Sequence, residues 1–221
     1  MTKPLDDVDS PTVTERLAIV GLGGSLAQTS RSLAALRVAL DGAAEAGAAT
    51  TLVDLRELDL PMYNPDHEGE PPPAASTLIE ACYGANGMLW SSPMYQGTIS
   101  GAFKNALDWL HSLGSREPPF LHDQVIGLMS AAGGTQGLQA INTMEFAVRA
   151  LRGWAVPYVI PVASAYRVFD AAGQITDDSV ELQLRTLGAE VVRVATRFAH
   201  DTTAQRARAC EESAELVAAA G

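Results

Sequence analysis

The stretch RLAIVGLGGSLAQTSRSLAALRVAL (residues 16–40) decides the fold, because it joins a buried strand to a helix through a loop rich in glycine and hydroxyl groups. Residues 16–23 form a short, nearly continuous apolar run that ends in glycines, which is typical of a strand buried on both faces of a sheet. From residue 30 leucines recur with helical spacing, and Gly47 stands where the helix would end. This segment is therefore predicted to be a β-loop-α unit.

Four further apolar segments alternate with helical patterns along the chain. We predict strands at residues 49–55, 87–92, 124–130 and 156–161, and helices at residues 30–46, 74–83, 100–113, 138–151 and 178–199. A proline-rich loop occupies residues 60–73, and the alanine-rich residues 203–220 suit a further helix. Strands that alternate with helices through right-handed crossovers build an α/β doubly wound parallel sheet, here of five strands with helices on both faces.

A single domain over residues 16–200 accommodates this pattern, because a chain of 221 residues that is 47% hydrophobic can bury a full core. We expect residues 1–15 to form a flexible N-terminal tail and residues 201–221 to form a C-terminal helical extension. The tail is polar and acidic, which is unlike a signal peptide or a membrane anchor.

Charge and cysteine usage narrow the class of partner. The formal net charge of -11 argues against a nucleic-acid or membrane partner, since both recruit clustered lysine and arginine. Cys82 and Cys210 lack the spacing of a disulfide framework or a zinc site. The histidines also lack metal-ligand spacing: His67, His111, His122 and His200. We therefore expect reduced thiols, a cytoplasmic location, no metal, and a small molecule or another protein as partner.

The loops after strands one, three and four are expected to meet in one site, because ligands of open α/β sheets bind beyond the carboxyl ends of the strands. The first loop places hydroxyl groups at the start of a helix, where free backbone N–H groups and the helix dipole favour a phosphate. Its hydroxyl groups belong to Ser25, Thr29, Ser30 and Ser32. Ordinary helix capping by serine or threonine would give the same pattern.

Other motifs fit the first loop less well. Leu26 stands where the third glycine of GxGxxG belongs, which argues against a Rossmann dinucleotide site. A P-loop is also disfavoured, because no lysine occurs between Lys3 and Lys104. Residues 23–27 lack the last glycine of a hydrolase nucleophile elbow and follow the first strand. The interpretation that remains for the first loop is a phosphate site formed by hydroxyl and backbone N–H groups.

The second loop and the helix after it carry the most specific signal. Residues 91–101 are SSPMYQGTISG, and residues 102–110 are AFKNALDWL. A Ser-Pro-x-Tyr-x-Gly turn followed by Gly-x-x-Lys-Asn-x-x-Asp-Trp resembles the NAD(P)H-dependent FMN reductase family, over about residues 16–199. The resemblance implies a flavodoxin-like fold with strand order 2-1-3-4-5 and an enzyme that reduces flavins, quinones, azo dyes or metal oxyanions.

By the same resemblance, three loops hold FMN. The first binds the phosphate, and the second wraps the isoalloxazine edge with backbone N–H groups and an aromatic surface. The third, residues 130–137, is similar to the family's Gly-Gly-Thr/Ser turn, whose small residues let the backbone approach the flavin ring. The implied FMN-binding residues are Ser25, Ala27, Thr29, Ser30, Arg31, Ser32, Pro93, Met94, Tyr95, Gln96, Gly97, Ala132, Gly133, Gly134 and Thr135.

The expected reaction is hydride transfer from NADPH or NADH to N5 of FMN, after which an acceptor replaces the nicotinamide. Because the flavin carries this chemistry, no catalytic side chain is assigned. Residues 25–32 and 144–151 are similar to reductases that supply reduced flavin to a partner monooxygenase, whereas quinone and chromate reductases usually have arginine at the position of Ala27 and asparagine at that of Ser32.

Three alternatives stay open: a quinone, azo or chromate reductase with tightly bound FMN, a flavodoxin-like electron carrier without enzyme activity, and a flavin-free scaffold. The resemblance also implies a homodimer or homotetramer. Residues 104–113 and the final helices are the expected subunit contacts.

Overall fold

Parallel strands form the centre of the computed structural model, which describes residues 16–67 and 69–219, with side chains as far as residue 199. The strands are β1 (Ala18–Gly23), β2 (Ala49–Asp54), β3 (Gly87–Pro93), β4 (Val125–Ala131), β5 (Trp154–Ala155) and β6 (Ile160–Val162). Their order is β2-β1-β3-β4-β5, and β6 also pairs with β4, so β5 and β6 share one edge of the sheet. The predicted flavodoxin-like doubly wound sheet is confirmed.

Helices lie on both faces of the sheet. They are α1 (Arg31–Glu45), α2 (Leu55–Leu58), α3 (Pro73–Tyr83), α4 (Gly101–Trp109), α5 (Gly137–Ala150), α6 (Ala165–Val168) and α7 (Asp178–Ala219), and a 3-10 helix (Leu110–Ser115) continues α4. The two short helices α2 and α6 were not predicted from the sequence. Ser30 caps α1, because its hydroxyl accepts a 3.1 Å hydrogen bond from the backbone N–H of Leu33.

Two apolar clusters, one on each face of the sheet, form the core. On the α3, α4 and α5 face, Trp90 packs against Phe103, and both side chains are fully buried. The face toward α1 and α7 buries leucine, valine and alanine side chains such as Leu36 and Leu187. The continuous apolar runs of β1, β3 and β4 follow from this burial on both sides.

Helices α1 and α7 are in backbone contact. A Cβ atom at Gly188 would lie 2.0 Å from the carbonyl oxygen of Ala39, and one at Gly42 would lie 2.3 Å from that of Arg185. Because only glycine permits such an approach, these two residues set the distance between the helices. Helix α7 thereby fixes the position of α1, whose first turn borders the first loop.

The fifth strand differs from its prediction at residues 156–161. Ile160 is six positions after Trp154, whereas their partners on β4, Met129 and Val125, are four positions apart. The two extra residues form a bulge in the edge strand near Pro157. The ring of this proline locks φ, and proline has no backbone N–H to donate to β4. The single predicted strand is therefore wrong in its bounds, and two short strands replace it.

The helix predicted at residues 100–113 is also shorter, because its last turn tightens into the 3-10 helix from Leu110. At the C-terminal end, the predicted helices at residues 178–199 and 203–220 form one continuous helix, α7, through Ala219. The expected tail of residues 1–15 lies outside the described residues, so the predicted domain division stays a prediction.

Candidate functional site

A half-open crevice of about 200 Å³ lies at the carboxyl ends of β1, β3, β4 and β6. Four segments line it: the first loop (residues 24–30) with the start of α1, the second loop (residues 94–100), the third loop (residues 132–136), and the turn after β6. Its lining residues are Ser25, Ala27, Thr29, Ser30, Arg31, Ser32, Pro93, Met94, Tyr95, Ala131, Ala132, Gly133, Ala165 and Tyr166.

Most of the residues predicted for the site meet in this crevice. The exceptions do not line it but lie exposed in the same loops: Gln96, Gly97, Gly134 and Thr135. The sequence analysis missed Ala131, Ala165 and Tyr166. Ala131 lies within the predicted third loop of residues 130–137 but was not assigned to the site, whereas Ala165 and Tyr166 come from a turn that carried no motif.

The first loop presents unpaired backbone donors. No backbone N–H group from Gln28 to Ser32 has a hydrogen-bond partner among the described residues. These groups stand at the N-terminus of the 15-residue helix α1, where the helix dipole adds partial positive charge. Ser25 and Ser30 turn their hydroxyl oxygens to the loop's own backbone, accepting from the N–H groups of Ala27 and Leu33. The capping role is thus real for Ser30, and the free N–H groups remain for an anion.

Buried serines of the second loop and of β3 hold the first loop in place. Ser91 accepts from the N–H of Gly24 with its carbonyl oxygen at 2.8 Å and donates its hydroxyl to the carbonyl of Ser32 at 2.7 Å. The hydroxyl of Ser100 donates to the carbonyl of Gly24 and accepts from the N–H of Phe103. The geometry of the first loop therefore depends on residues far away in sequence.

The second loop closes in a tight turn beside the crevice. Tyr95 and Thr98 exchange backbone hydrogen bonds of 2.9 and 3.0 Å. The two residues between them, Gln96 and Gly97, have φ angles of 48° and 82°, which is typical of a type I′ turn. The turn leaves the Tyr95 ring 52% exposed at the crevice.

The third loop is bonded to the turn after β6. Ala132 donates to the carbonyl of Val162, Ser164 donates to that of Gly134, and Ala165 donates to that of Ala132, all within 3.0 Å. A Cβ atom on Gly133 would meet no atom within 4 Å, so protein packing does not demand glycine there. The open space above the loop belongs to the crevice.

The Lys-Asn-x-x-Asp-Trp string of α4 does not line the crevice. Asn105 accepts from the N–H of Tyr63 and donates to the carbonyl of Pro61, and the Trp109 indole donates to that same carbonyl at 2.8 Å. Lys104 forms an ion pair with Asp108 one turn along the helix. Asn105 and Trp109 thus fasten the proline-rich loop of residues 60–73, which is a structural role.

The crevice has one charged lining residue among those described, Arg31, whose guanidinium is exposed and has no partner in the described part of the chain. The side chains of His67, His111 and His122 are exposed and away from it, and that of His200 lies outside the described side chains. Within the described residues no cluster of histidine, cysteine or carboxylate groups could hold a metal ion. Among the helices that the structure describes, none is long and apolar enough to cross a membrane.

Comparison with known proteins agrees with this arrangement of loops. A sequence model of the family described as NADPH-dependent FMN reductase matches residues 17–167. An NAD(P)H-dependent FMN reductase of Pseudomonas aeruginosa is 30% identical over 184 residues, which cover 79% of this chain and 95% of that protein. The probable NADPH:quinone oxidoreductase 2 of Oryza sativa subsp. japonica is 31% identical over 136 residues, or 61% of this chain and 65% of the rice protein, just under two thirds of its length.

The fold is shared with a solved structure. The flavoenzyme NAD(P)H:(acceptor) oxidoreductase FerB from Paracoccus denitrificans superposes with a TM-score of 0.66 at 18% identity, covering 82% of this chain and 98% of FerB.

Proposed function

Because the chain belongs to the NADPH-dependent FMN reductase family, a family of oxidoreductases, we propose that it binds FMN in the crevice and reduces it with NADPH or NADH. The observation that carries the proposed site is the meeting of unpaired backbone N–H groups with one unpaired arginine at the carboxyl end of the sheet. The phosphate of FMN requires such donors.

The residues present fit this cofactor. The N–H groups of residues 28–32 and the hydroxyls of the first loop suit a phosphate, and Arg31 supplies a positive charge. The N–H groups of Gly133, Gly134 and Thr135 have no partner in the described structure, so they are available to the oxygens of a flavin pyrimidine ring. A side chain at Gly133 would extend into the space that a flat ring needs.

When bound, FMN supplies the hydride-accepting ring and passes the electrons on. The protein groups orient the ring and complement its charge. Arg31 and the first loop would anchor the phosphate, the Tyr95 ring would cover part of the crevice, and the third loop would offer donors to the pyrimidine edge. None of these roles requires a side chain that exchanges protons.

The proposed acceptor is free flavin for a partner monooxygenase. Ala27 supports this acceptor, because an alanine at this position of the first loop offers no cation. Arg31 is then the single positively charged side chain, among the described lining residues, that could bind the phosphate. Loose binding would let reduced flavin leave. A quinone is the second candidate, favoured by the similarity to the rice quinone oxidoreductase.

We also propose a homodimer or homotetramer and a cytoplasmic location. An apolar groove of about 580 Å³ runs between α4 and α5, with Leu107 and Ala147 in its walls, and the Phe146 side chain beside it is 69% exposed. Exposed apolar patches of this kind mark association surfaces. The location is supported by the reduced, buried thiol of Cys82. Sedimentation of the full chain, compared with its Phe146→Glu variant, would show whether the groove joins two copies.

The activity can be tested with purified full-length protein. We expect FMN to bind in isothermal titration calorimetry, and NADPH or NADH to be oxidised when FMN or a quinone is added. Gly133→Val is expected to weaken FMN binding at least about tenfold while the free energy of unfolding stays within about 0.5 kcal/mol, since a Cβ atom at this position has no protein atom within 4 Å.

Gly101→Ala is the matched control, because a Cβ atom at Gly101 also meets open space but lies outside the crevice. It should leave FMN binding unchanged. No oxidation of either nicotinamide above background would overturn the proposed activity, and FMN binding without oxidation would favour an electron carrier. Wild-type affinity in the Gly133→Val variant would place the cofactor elsewhere.

A further inference from the structure

The turn after β6 brings an aromatic residue to the crevice that no sequence motif marked. Tyr166 lines the crevice together with Thr29, Ser30, Arg31 and Ser32, and its side chain is 54% exposed. Its hydroxyl has no hydrogen-bond partner among the described residues. An aromatic hydroxyl is therefore available beside the loop that presents the free N–H groups.

Tyr166 approaches from the α1 face of the sheet. Its neighbours Ala165 and Val168 belong to the apolar cluster under α1 and α7, and a Cβ atom at Gly173 would lie 3.9 Å from Cβ of Ala34 in the second turn of α1. The segment after β6 thus runs along the start of α1. Tyr95, by contrast, comes from the second loop, where Met94 packs against the cluster on the opposite face. The two tyrosines therefore reach the same crevice from opposite faces of the sheet, and Tyr166 comes from the face that carries α1.

The backbone around Tyr166 is held in place. Ser164, with a φ angle of 47°, and Ala165 donate hydrogen bonds to the third loop, and Arg167 donates to the carbonyl of Ser164 at 2.7 Å. The guanidinium carbon of Arg167 lies 5.5 Å from the centroid of the Tyr166 ring, within the range of a cation–π contact. The backbone turn that carries the Tyr166 phenol is therefore hydrogen-bonded to the third loop.

We propose that Tyr166 is a cofactor-positioning residue whose hydroxyl donates a hydrogen bond to the phosphate of FMN. This role rests on the proposed FMN site. It adds a side-chain donor from outside the first loop to Arg31 and the hydroxyls of that loop, in which Ala27 provides none. The phosphate would then be bound by donors from both the β1 and β6 ends of the sheet.

The test compares FMN with riboflavin, which lacks the phosphate. Calorimetric dissociation constants are measured for wild-type protein, Tyr166→Phe, Tyr166→Ala and the control Tyr158→Phe, whose phenol is likewise exposed but does not line the crevice. We expect Tyr166→Phe to weaken FMN binding about tenfold, the typical effect of losing a hydrogen bond to a charged group, and to leave riboflavin binding unchanged. Tyr158→Phe should bind both ligands like wild type.

The outcomes separate this role from the proposed function. Wild-type affinity for FMN in Tyr166→Phe overturns the hydrogen bond while the proposed function stands. Equal losses for FMN and riboflavin in Tyr166→Ala, with none in Tyr166→Phe, also overturn it, because the ring would then act on the isoalloxazine. A wild-type protein that binds no FMN overturns both. Thermal denaturation of each variant excludes loss of fold as the cause.

Discussion

The hydroxyl of Ser91 donates a 2.7 Å hydrogen bond to the backbone carbonyl of Ser32, although 59 residues separate the two in sequence. Ser91 lies in the central strand β3, two residues before its end, and Ser32 lies in the first turn of α1. Both side chains are buried. The bond ties the start of α1 to the sheet and so fixes the loop that presents the free N–H groups.

Removing this hydroxyl should loosen the first loop. Ser91→Ala is expected to lower the free energy of unfolding by about 0.5–1.5 kcal/mol, the net value of a hydrogen bond, and to weaken FMN binding several-fold. Urea denaturation and calorimetry measure the two effects. Ser112→Ala also removes a hydroxyl that donates to a backbone carbonyl, that of Trp109, but far from the crevice. Equal FMN affinities in the two variants would contradict the role of Ser91.

Arg31 should contribute mainly through charge. Arg31→Gln is expected to weaken FMN binding about tenfold at low salt, because it removes the single described charge from the crevice lining. The difference from wild type should shrink as salt is added, since the guanidinium is exposed and screened. Arg56→Gln, which removes an exposed arginine outside the crevice, is the control. A riboflavin affinity that falls as much as that of FMN would rule out a phosphate contact.

Gly188 should be intolerant of any side chain. Alanine favours the helix interior over glycine by about 1 kcal/mol, so propensity alone predicts that Gly188→Ala is stabilising. Backbone contact reverses the sign, because the new Cβ would lie 2.0 Å from the Ala39 carbonyl oxygen. We expect a loss of about 1–3 kcal/mol or more in thermal or urea unfolding. Gly101→Ala, where the Cβ meets open space, should be near neutral. A stable Gly188→Ala protein would mean that α1 and α7 can separate freely.

The thiol of Cys82 should be unreactive in the folded protein. Complete burial raises the pKa of this thiol from 9.0 to about 12, so hardly any thiolate forms at neutral pH. Iodoacetamide at pH near 8 should modify Cys82 only after urea unfolding, as read by peptide mass spectrometry. The folded state holds the proton to a higher pH than the unfolded state does, so this group lowers stability as pH rises from 9.0 toward 12. Rapid labelling of native Cys82 would show that its helix opens.

Some features of the site could be predicted because they are local or follow from sheet geometry. Parallel strands end at the same edge, so loops that follow them must meet, and the hydroxyl loop, the Pro93–Tyr95 segment and Gly133 do line one crevice. The helical start at Ser30 was likewise visible, since a serine cap is a short-range signal.

Other features depended on contacts between distant residues. The bounds of the edge strand, predicted at residues 156–161, were wrong because the apolar pattern continues through Pro157, whereas the pairing with β4 is interrupted there. The Lys-Asn-x-x-Asp-Trp string was informative as a family resemblance, yet its Asn105 and Trp109 side chains bind the loop at Pro61 and do not line the crevice.

The sequence by itself determined the doubly wound sheet, the hydroxyl-rich helix start and the family, because hydrophobic periodicity, capping and short motifs act over a few residues. Only the tertiary structure decided which donors stay free, how Ser91 and Ser100 hold the first loop, and that Tyr166 stands beside it. The physical reason is that a hydrogen bond or a close approach depends on two groups at once. Here the order of the strands brings those groups together from distant parts of the chain, and no local sequence pattern encodes that order.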